Sequence, residues 1–356
     1  MSNINYDTID RKAKVELPEK LVFGRLFSDH IFEMDYDPGL GGWHNPSIKK
    51  FGGINISPAA MVFHYGQAIF EGMKAYIQDS GRIVLFRAEK NFERMNSSAR
   101  RMCIPEIDVD FMMSALKELI KLDKDWIPTK PGHALYIRPL IIATDPFLGV
   151  KPAETYKFFI MLSPVGPYYP EGFRPVPIKA TDKYVRAVRK GVGDCKTAGN
   201  YGASLLAQRE AKAEGYSQVL WLDALEQKYI EEVGTMNIFV QFKDEVATPL
   251  LTGSILPGIT RESVIQILRD WDFNVKERMI SIDEILHSYK TNELYEIFGT
   301  GTAAVISSVS KLKYKNTELI FSEQTAGELG TRLYRELTDI HYGRIEDRYG
   351  WITPVE

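Results

Sequence analysis

A chain of 356 residues, 44% hydrophobic and 26% charged, has the length for two ordinary domains and the composition of a soluble globular protein. Its formal net charge of −3 gives no global attraction to nucleic acid or to an anionic membrane, and no apolar run approaches the ~20 residues of a membrane span. The two cysteines, Cys103 and Cys195, are far apart and fit no Cys-x-x-Cys spacing, which argues against a zinc site or a disulfide framework and for the reducing cytoplasm.

The stretch from Met1 to Lys20 is polar and charged and shows no apolar core of the kind a secretory signal needs, so none is expected there. Residues 82–86 read as a strand. Residues 89–102 read as a helix with Phe92, Met95, Ala99 and Met102 on one stripe and Arg94 and Arg101 on another face. A second helix is expected over 108–122, where Met112, Ala115, Leu116 and Leu119 recur at helical spacing. Residues 133–143 and 157–162 read as buried strands, so helices and strands cover one another in an α/β or α+β layer. Ser163 to Pro177 holds five prolines and two glycines, which forbids regular structure and marks the interdomain connection.

Beyond it, a helix over 203–214 stops at Gly215, and short strands follow at 218–222, 227–231 and 236–242. A helix opens after Gly258 with Thr260 as its N-cap and Val264, Ile267, Leu268 and Trp271 on its apolar stripe. A strand over 293–298 leads into Gly299-Thr-Gly-Thr-Ala-Ala304, and the final helix, 327–341, aligns Leu329, Leu333, Leu337 and Ile340.

Gly191-Val-Gly-Asp-Cys-Lys-Thr-Ala-Gly-Asn-Tyr201 sets Lys196 among glycines, which permit tight turns and close approach of a bulky group. Such a lysine is a phosphate ligand, an amine nucleophile or a solvated charge. The phosphate-loop pattern needs glycines where Lys190 and Cys195 stand, so that reading fails. Gly299 to Ala304 fits a dinucleotide fingerprint, but β-branched and serine-rich residues 305–310 deny the helix it requires, leaving a small turn suited to an anion. The helix start at Pro257-Gly-Ile-Thr260 is a second candidate anion site, and Arg94 suits a phosphate dianion. Of the paired acids Glu231 and Glu232, one carboxylate is expected to point inward, where it needs a cationic or N–H partner. A lysine amine, an inward glutamate, Tyr201, an arginine and two anion-binding turns match the needs of pyridoxal 5'-phosphate. No metal cluster is expected.

In this order, Phe23-Gly-Arg-Leu-Phe-Ser-Asp-His30, Phe63-His-Tyr-Gly-Gln-Ala-Ile-Phe-Glu-Gly-Met-Lys74, Leu135-Tyr-Ile-Arg-Pro139, Lys196-Thr-Ala-Gly-Asn-Tyr201, Glu232-Val-Gly-Thr-Met-Asn237, Leu256-Pro-Gly-Ile-Thr-Arg261 and Phe298-Gly-Thr-Gly-Thr-Ala303 cover nearly the whole chain. Together they resemble the branched-chain amino acid aminotransferases, fold-type IV pyridoxal-phosphate enzymes. The resemblance implies a smaller N-terminal domain over 1–164, a connecting loop over 165–177, a larger cofactor-binding domain over 178–356, and the cofactor in the cleft between domains. It implies a cytoplasmic homodimer exchanging amino groups between L-leucine, isoleucine or valine and 2-oxoglutarate by a ping-pong Schiff-base cycle. Lys196 becomes the Schiff-base lysine, Glu232 the partner of the ring nitrogen, and Tyr201 that of the phenolic oxygen. Arg94, the Ile259 and Thr260 backbone and Thr302 hold the phosphate, and Thr302 and Ala303 meet the substrate carboxylate. Phe23, Phe70, Tyr136, Tyr201 and Thr235 line the side-chain pocket, Tyr65, Leu148 and Val150 reach in from the other subunit, and Arg138 takes the distal carboxylate of glutamate. The thiol pair of animal members is replaced by Ala304 and Ser307, so no thiol switch carries over. A D-amino acid aminotransferase of the same fold type and an NAD-dependent oxidoreductase built on Gly299 to Ala304 are the rival readings.

Overall fold

The structure is a computed structural model that describes residues 3–9, 15–167, 173–322 and 324–356. Backbone contacts divide the chain into two compact units, one of Met1–Tyr168 with Cys195–Ala198 and Asp339–Glu356, the other of Tyr169–Asp194 with Gly199–Thr338. The sequence division at residue 178 puts 339–356 with the second domain. In the structure the strand Ile352–Pro354 instead pairs antiparallel with Ile83–Phe86, and Trp351 and Val355 are buried beside it, which ties the C-terminal segment to the first unit.

The first unit is built on one mixed sheet. In spatial order its strands are Asn5–Asp7, Gly42–Lys50, His30–Asp37, Tyr156–Val165, Ala134–Ala143, Met73–Ile77, Ile83–Phe86 and Ile352–Pro354, with Ala68–Phe70 also pairing with Ala134–Ala143. The helices Ala88–Arg101 and Val109–Leu122 follow the 3.6-residue spacing. Phe92, Met95 and Ala99 of one helix and Met112, Ala115, Leu116 and Leu119 of the other lose all exposure, in a core shared with Phe32, Ile48 and Phe158. Each large side chain so buried stabilises the unit by about 1.5–3 kcal/mol. Asp108 caps the second helix by accepting the Phe111 N–H at 3.0 Å.

Residues 168–172 of the proline-rich stretch lie outside the described residues. Its flanks are regular, contrary to expectation: Pro164 sits in strand Tyr156–Val165 opposite Leu135, and Pro177 in strand Val176–Thr181 opposite Lys311. Proline's fixed φ suits extended backbone, and only the lost N–H restricts it there.

In the second unit six strands close on themselves. Ile230–Val233, Gln218–Leu222, Val176–Thr181, Val305–Tyr314, Leu294–Gly301 and Met236–Phe242 follow one another, and the last pairs back to the first through Glu232 opposite Asn237 and Val233 opposite Met236. Closure leaves these six strands no open edge. Residues 305–310 are strand, so no dinucleotide-binding helix follows the glycines. The helix after Gly258 spans Ile259–Asp270. Its N-cap is Gly258, and Thr260, expected to cap it, already lies inside the first turn.

Candidate active site

In the first unit the backbone of Lys196 is held on both sides. Its carbonyl accepts the Phe70 N–H and its N–H donates to Ser98 Oγ, each at 3.0 Å. The Thr197 hydroxyl donates to the Ala68 carbonyl at 2.8 Å, so residues 196–197 lie along the short strand Ala68–Phe70. Lys196 Nζ is 5.0 Å from the centre of the Phe70 ring. Arg94 stands one helical turn before Ser98. Its Nε and Nη2 reach the two oxygens of Glu71 at 2.8 Å each, and Asn91 donates to the same carboxylate at 2.9 Å. Burial pushes the Glu71 carboxyl up, but the Arg94 charge and hydrogen bonds, aided by the Lys196 charge and by Asn91, hold it below its ordinary value.

Strand pairing brings the aromatic residues beside this lysine. Phe70 pairs with Leu140, two residues from Arg138, whose guanidinium lies 4.8 Å from the Phe70 ring and 5.2 Å from the Tyr136 ring. Phe23 packs edge-on to Tyr136 at 4.7 Å, and Arg138 donates to the Tyr136 hydroxyl at 2.9 Å. Gly72 is required here, because a Cβ at that position would stand 2.1 Å from the Tyr136 hydroxyl. Arg138 Nε is buried with no hydrogen-bond partner, an unspent donor against an aromatic wall.

In the second unit Glu231 and Glu232 are both buried, where the sequence predicts one inward carboxylate. Glu232 Oε2 pairs with Arg186 Nε at 2.9 Å, and its Oε1 accepts the Leu256 N–H at 2.7 Å. Glu231 takes a hydrogen bond from Ser254 Oγ at 2.5 Å, and burial, with the neighbouring Glu232 charge, pushes its carboxyl up. Cross-strand register aligns Glu232, Asn237 and Thr300 in one row on a single face of the sheet. Asn237 donates to the Leu256 carbonyl at 2.9 Å, fixing the chain that opens the Ile259–Asp270 helix, and no side chain caps that helix. Thr300 Oγ1 is buried and lacks a partner. Thr302 and Ala303 stand half-buried in the turn between Leu294–Gly301 and Val305–Tyr314. Val305, just after the turn, has φ +63°, a strained conformation for a β-branched residue.

The structure thus brings Lys196, Arg94, Phe23, Phe70, Tyr136 and Arg138 together in the first unit, and Glu232, Ile259, Thr260, Thr302 and Ala303 into one part of the second. Tyr201 is half-buried in the short helix Ala198–Gly202, and Thr235 is exposed in the two-residue turn before Met236. Tyr65, Leu148 and Val150 are each exposed in the first unit, where the Tyr65 hydroxyl donates to the Leu148 carbonyl. The glycines around Lys196 permit the tight turn expected, since residues 191–194 turn and a Cβ at Gly191 would lie 2.9 Å from the Val188 carbonyl oxygen, but not through left-handed backbone. None of Gly191, Gly193 and Gly199 has positive φ, and Gly193 instead permits a close pass of backbone, since a Cβ there would lie 2.4 Å from the Ser254 carbonyl oxygen. Sequence reasoning missed Glu71, Ser98, Arg186, Asn237 and Thr300. Only their partners distinguish them from ordinary polar residues.

The family described as amino-transferase class IV matches residues 68–312. The chain is 51% identical to branched-chain-amino-acid aminotransferase 2 of Bacillus subtilis, over 98% of this chain and 95% of that one. It superimposes on the Escherichia coli branched-chain amino acid aminotransferase with a TM-score of 0.77 at 26% identity, covering 92% of this chain and all of that one. A T.th. enzyme of the same name, complexed with N-(5'-phosphopyridoxyl)-L-glutamate, matches with a TM-score of 0.74 and 26% identity over 93% of this chain and all of that one. The chain belongs to the class IV aminotransferases and, within them, to the branched-chain-amino-acid aminotransferases. It is a transaminase of fold type IV.

Proposed function

We propose that this transaminase moves the amino group of L-leucine, isoleucine or valine reversibly to 2-oxoglutarate, in a ping-pong cycle that uses pyridoxal 5'-phosphate. The observation that carries the reading is Lys196, whose backbone is pinned on both sides while its amine extends beside an aromatic wall. The donor set fits the cofactor. The chain offers a primary amine, a buried carboxylate for a ring nitrogen, and, for a phosphate, an arginine and a helix start without a side-chain cap.

When bound, the cofactor supplies an aldehyde carbon that takes up the amino group and a ring that withdraws electrons from the substrate Cα. Lys196 Nζ would act as the general base, taking the proton from the substrate Cα and delivering it to the cofactor carbon that carries the amino group. Glu232 faces the ring nitrogen, Tyr201 the phenolic oxygen, and Arg94, the Ile259 and Thr260 N–H groups and Thr302 hold the phosphate, with Thr235 beside them. Thr302 and Ala303 orient the substrate carboxylate. Phe23, Phe70, Tyr136, Tyr201 and Thr235 suit aliphatic side chains. Arg138, with its unspent donor, meets the distal carboxylate of glutamate without leaving a bare charge on an apolar floor. We further infer a cytoplasmic homodimer in which the exposed Tyr65, Leu148 and Val150 of each copy border the site of the other.

Lys196→Ala tests the assignment. Turnover falls by roughly 10³ or more, and borohydride reduction of the yellow wild-type protein leaves the pyridoxyl group on the Lys196 peptide. Wild-type turnover by the variant, or label on another lysine, overturns the reading. Equal rates with D-leucine would favour the D-amino acid aminotransferase instead.

A further inference from the structure

Arg186 is buried, with 7% of its side chain exposed, and its Nε meets Glu232 Oε2 at 2.9 Å. Its Nη1 spans two backbone carbonyls, Gly193 at 3.2 Å and Ser254 at 2.9 Å. Gly193 lies close against the Ser254 backbone, where a Cβ would stand 2.4 Å from the Ser254 carbonyl oxygen. The planar guanidinium therefore engages three acceptors in one fixed orientation, which the point charge of a lysine cannot reproduce. Leu256 N–H grips the other Glu232 oxygen at 2.7 Å, so a bond to each oxygen fixes the plane of the carboxylate. A carboxyl this deep tends to take up a proton unless a cation holds it charged. Glu231, one residue away and bonded by a serine hydroxyl in place of a guanidinium, shows that tendency.

We propose that Arg186 is a positioning residue for the reaction: it keeps Glu232 ionised and aimed, so that the cofactor ring nitrogen facing Glu232 carries a proton. The inference rests on the assignment of Glu232 made under the proposed function. Arg186 acts through Glu232 and touches no reacting atom. A purely structural arginine, by contrast, would serve only to clamp the Gly193 and Ser254 carbonyls.

The experiment loads wild type, R186Q, R186K, E232Q and the R186Q/E232Q double variant with pyridoxal phosphate ¹⁵N-labelled in its ring. The labelled nitrogen shows the pyridinium shift in wild type and moves toward the neutral pyridine shift in R186Q, as in E232Q. In R186Q kcat for leucine falls roughly 10- to 100-fold, the range for losing a hydrogen bond to a charged group, with KM within about twofold. In the E232Q background the same change costs less than about threefold, because the group it acts through is gone. Circular dichroism melts identify folded variants. If R186Q does not fold, R186K carries both readouts, with smaller changes in the same directions. A pyridinium signal and wild-type kcat in a folded Arg186 variant, or equal losses in both Glu232 backgrounds, overturn the proposal. If the wild type itself shows no cofactor on Lys196 or no pyridinium signal, the parent assignment fails instead.

Discussion

Glu71 has no exposed surface, yet its two oxygens meet Arg94 twice, Asn91, and the Gly72 N–H at 3.2 Å. Desolvation alone would make this charge costly, and the arginine offsets it. The pair also fixes where Arg94 points, because Nε and Nη2 are both committed to Glu71. Replacing one partner of a buried pair leaves the other uncompensated, so Glu71→Gln is expected to destabilise the folded protein by about 3–5 kcal/mol near neutral pH. The folded-state Glu71 carboxyl lies below its ordinary value of 4.5, so its contribution is present above about pH 4.5 and is lost as pH falls through the lower folded value. Urea melts of wild type and variant should therefore converge as the buffer is taken below pH 4.5. A difference that stays constant with pH would mean that the ion pair is not the source.

At the scale of the element, the start of the Ile259–Asp270 helix shows why a cap is hard to place from sequence. Gly258 has φ −73°, an angle any residue adopts, so conformational freedom is not why it is glycine. A Cβ there would stand 1.9 Å from Asn237 Oδ1, and Asn237 holds the Leu256 carbonyl. That neighbour comes from a strand twenty residues earlier, and nothing local to Pro-Gly-Ile-Thr announces it. The helices of the first unit were legible because their stripes repeat every 3.6 residues. The hairpin of His30–Asp37 and Gly42–Lys50 was not: Phe32, Met34 and Tyr36 do alternate with Glu33, Asp35 and Asp37, but His44, Asn45 and Pro46 break the pattern in the strand that pairs with them. Closure of the six strands was equally hidden: it depends on pairing Val176–Thr181 with Val305–Tyr314, over a hundred residues apart. Lys196, Glu232 and Arg94 could be picked out by chemistry, but Arg186 and Thr300 gain meaning only from burial and partners. Gly258→Ala separates steric from conformational effects. Its backbone penalty should be small, under about 1 kcal/mol, while displacement of Asn237 shifts the helix start and weakens pyridoxal phosphate binding to the apoprotein roughly tenfold. Unchanged affinity in a fluorescence titration would show that the contact is absorbed elsewhere.

On the scale of the whole molecule, two buried titratable groups outside the proposed site act on stability with opposite signs. His341, counted with the first unit, stacks on Tyr76 at 4.5 Å and meets Phe86 edge-on at 4.5 Å, and neither ring nitrogen has a partner. Burial, reinforced by the Lys74 charge, lowers its pKa to about 3. The unfolded chain therefore binds one more proton below pH 6.5, and stability falls as pH drops, by roughly 2 kcal/mol between pH 7 and pH 5. Glu296, in the second unit, receives the Leu329 and Gly330 N–H groups at 3.1 Å, but burial still raises it to about 7. Its contribution is complete below the ordinary 4.5 and is lost as pH rises through 7, by roughly 3 kcal/mol across that window. Lys74, lowered by burial to about 8, acts only above this range. Between pH 4.5 and 6.5 the two slopes oppose each other, so the pH dependence of wild type conceals both. His341→Phe keeps the aromatic stack and removes the titrating ring. Its stability relative to wild type should grow as pH falls from 7 to 5, whereas that of Glu296→Gln should grow as pH rises from 4.5 to 7. Urea melts at matched pH measure each difference whichever unit unfolds first. A variant whose curve runs parallel to wild type across its window would show that its group does not titrate as its burial requires.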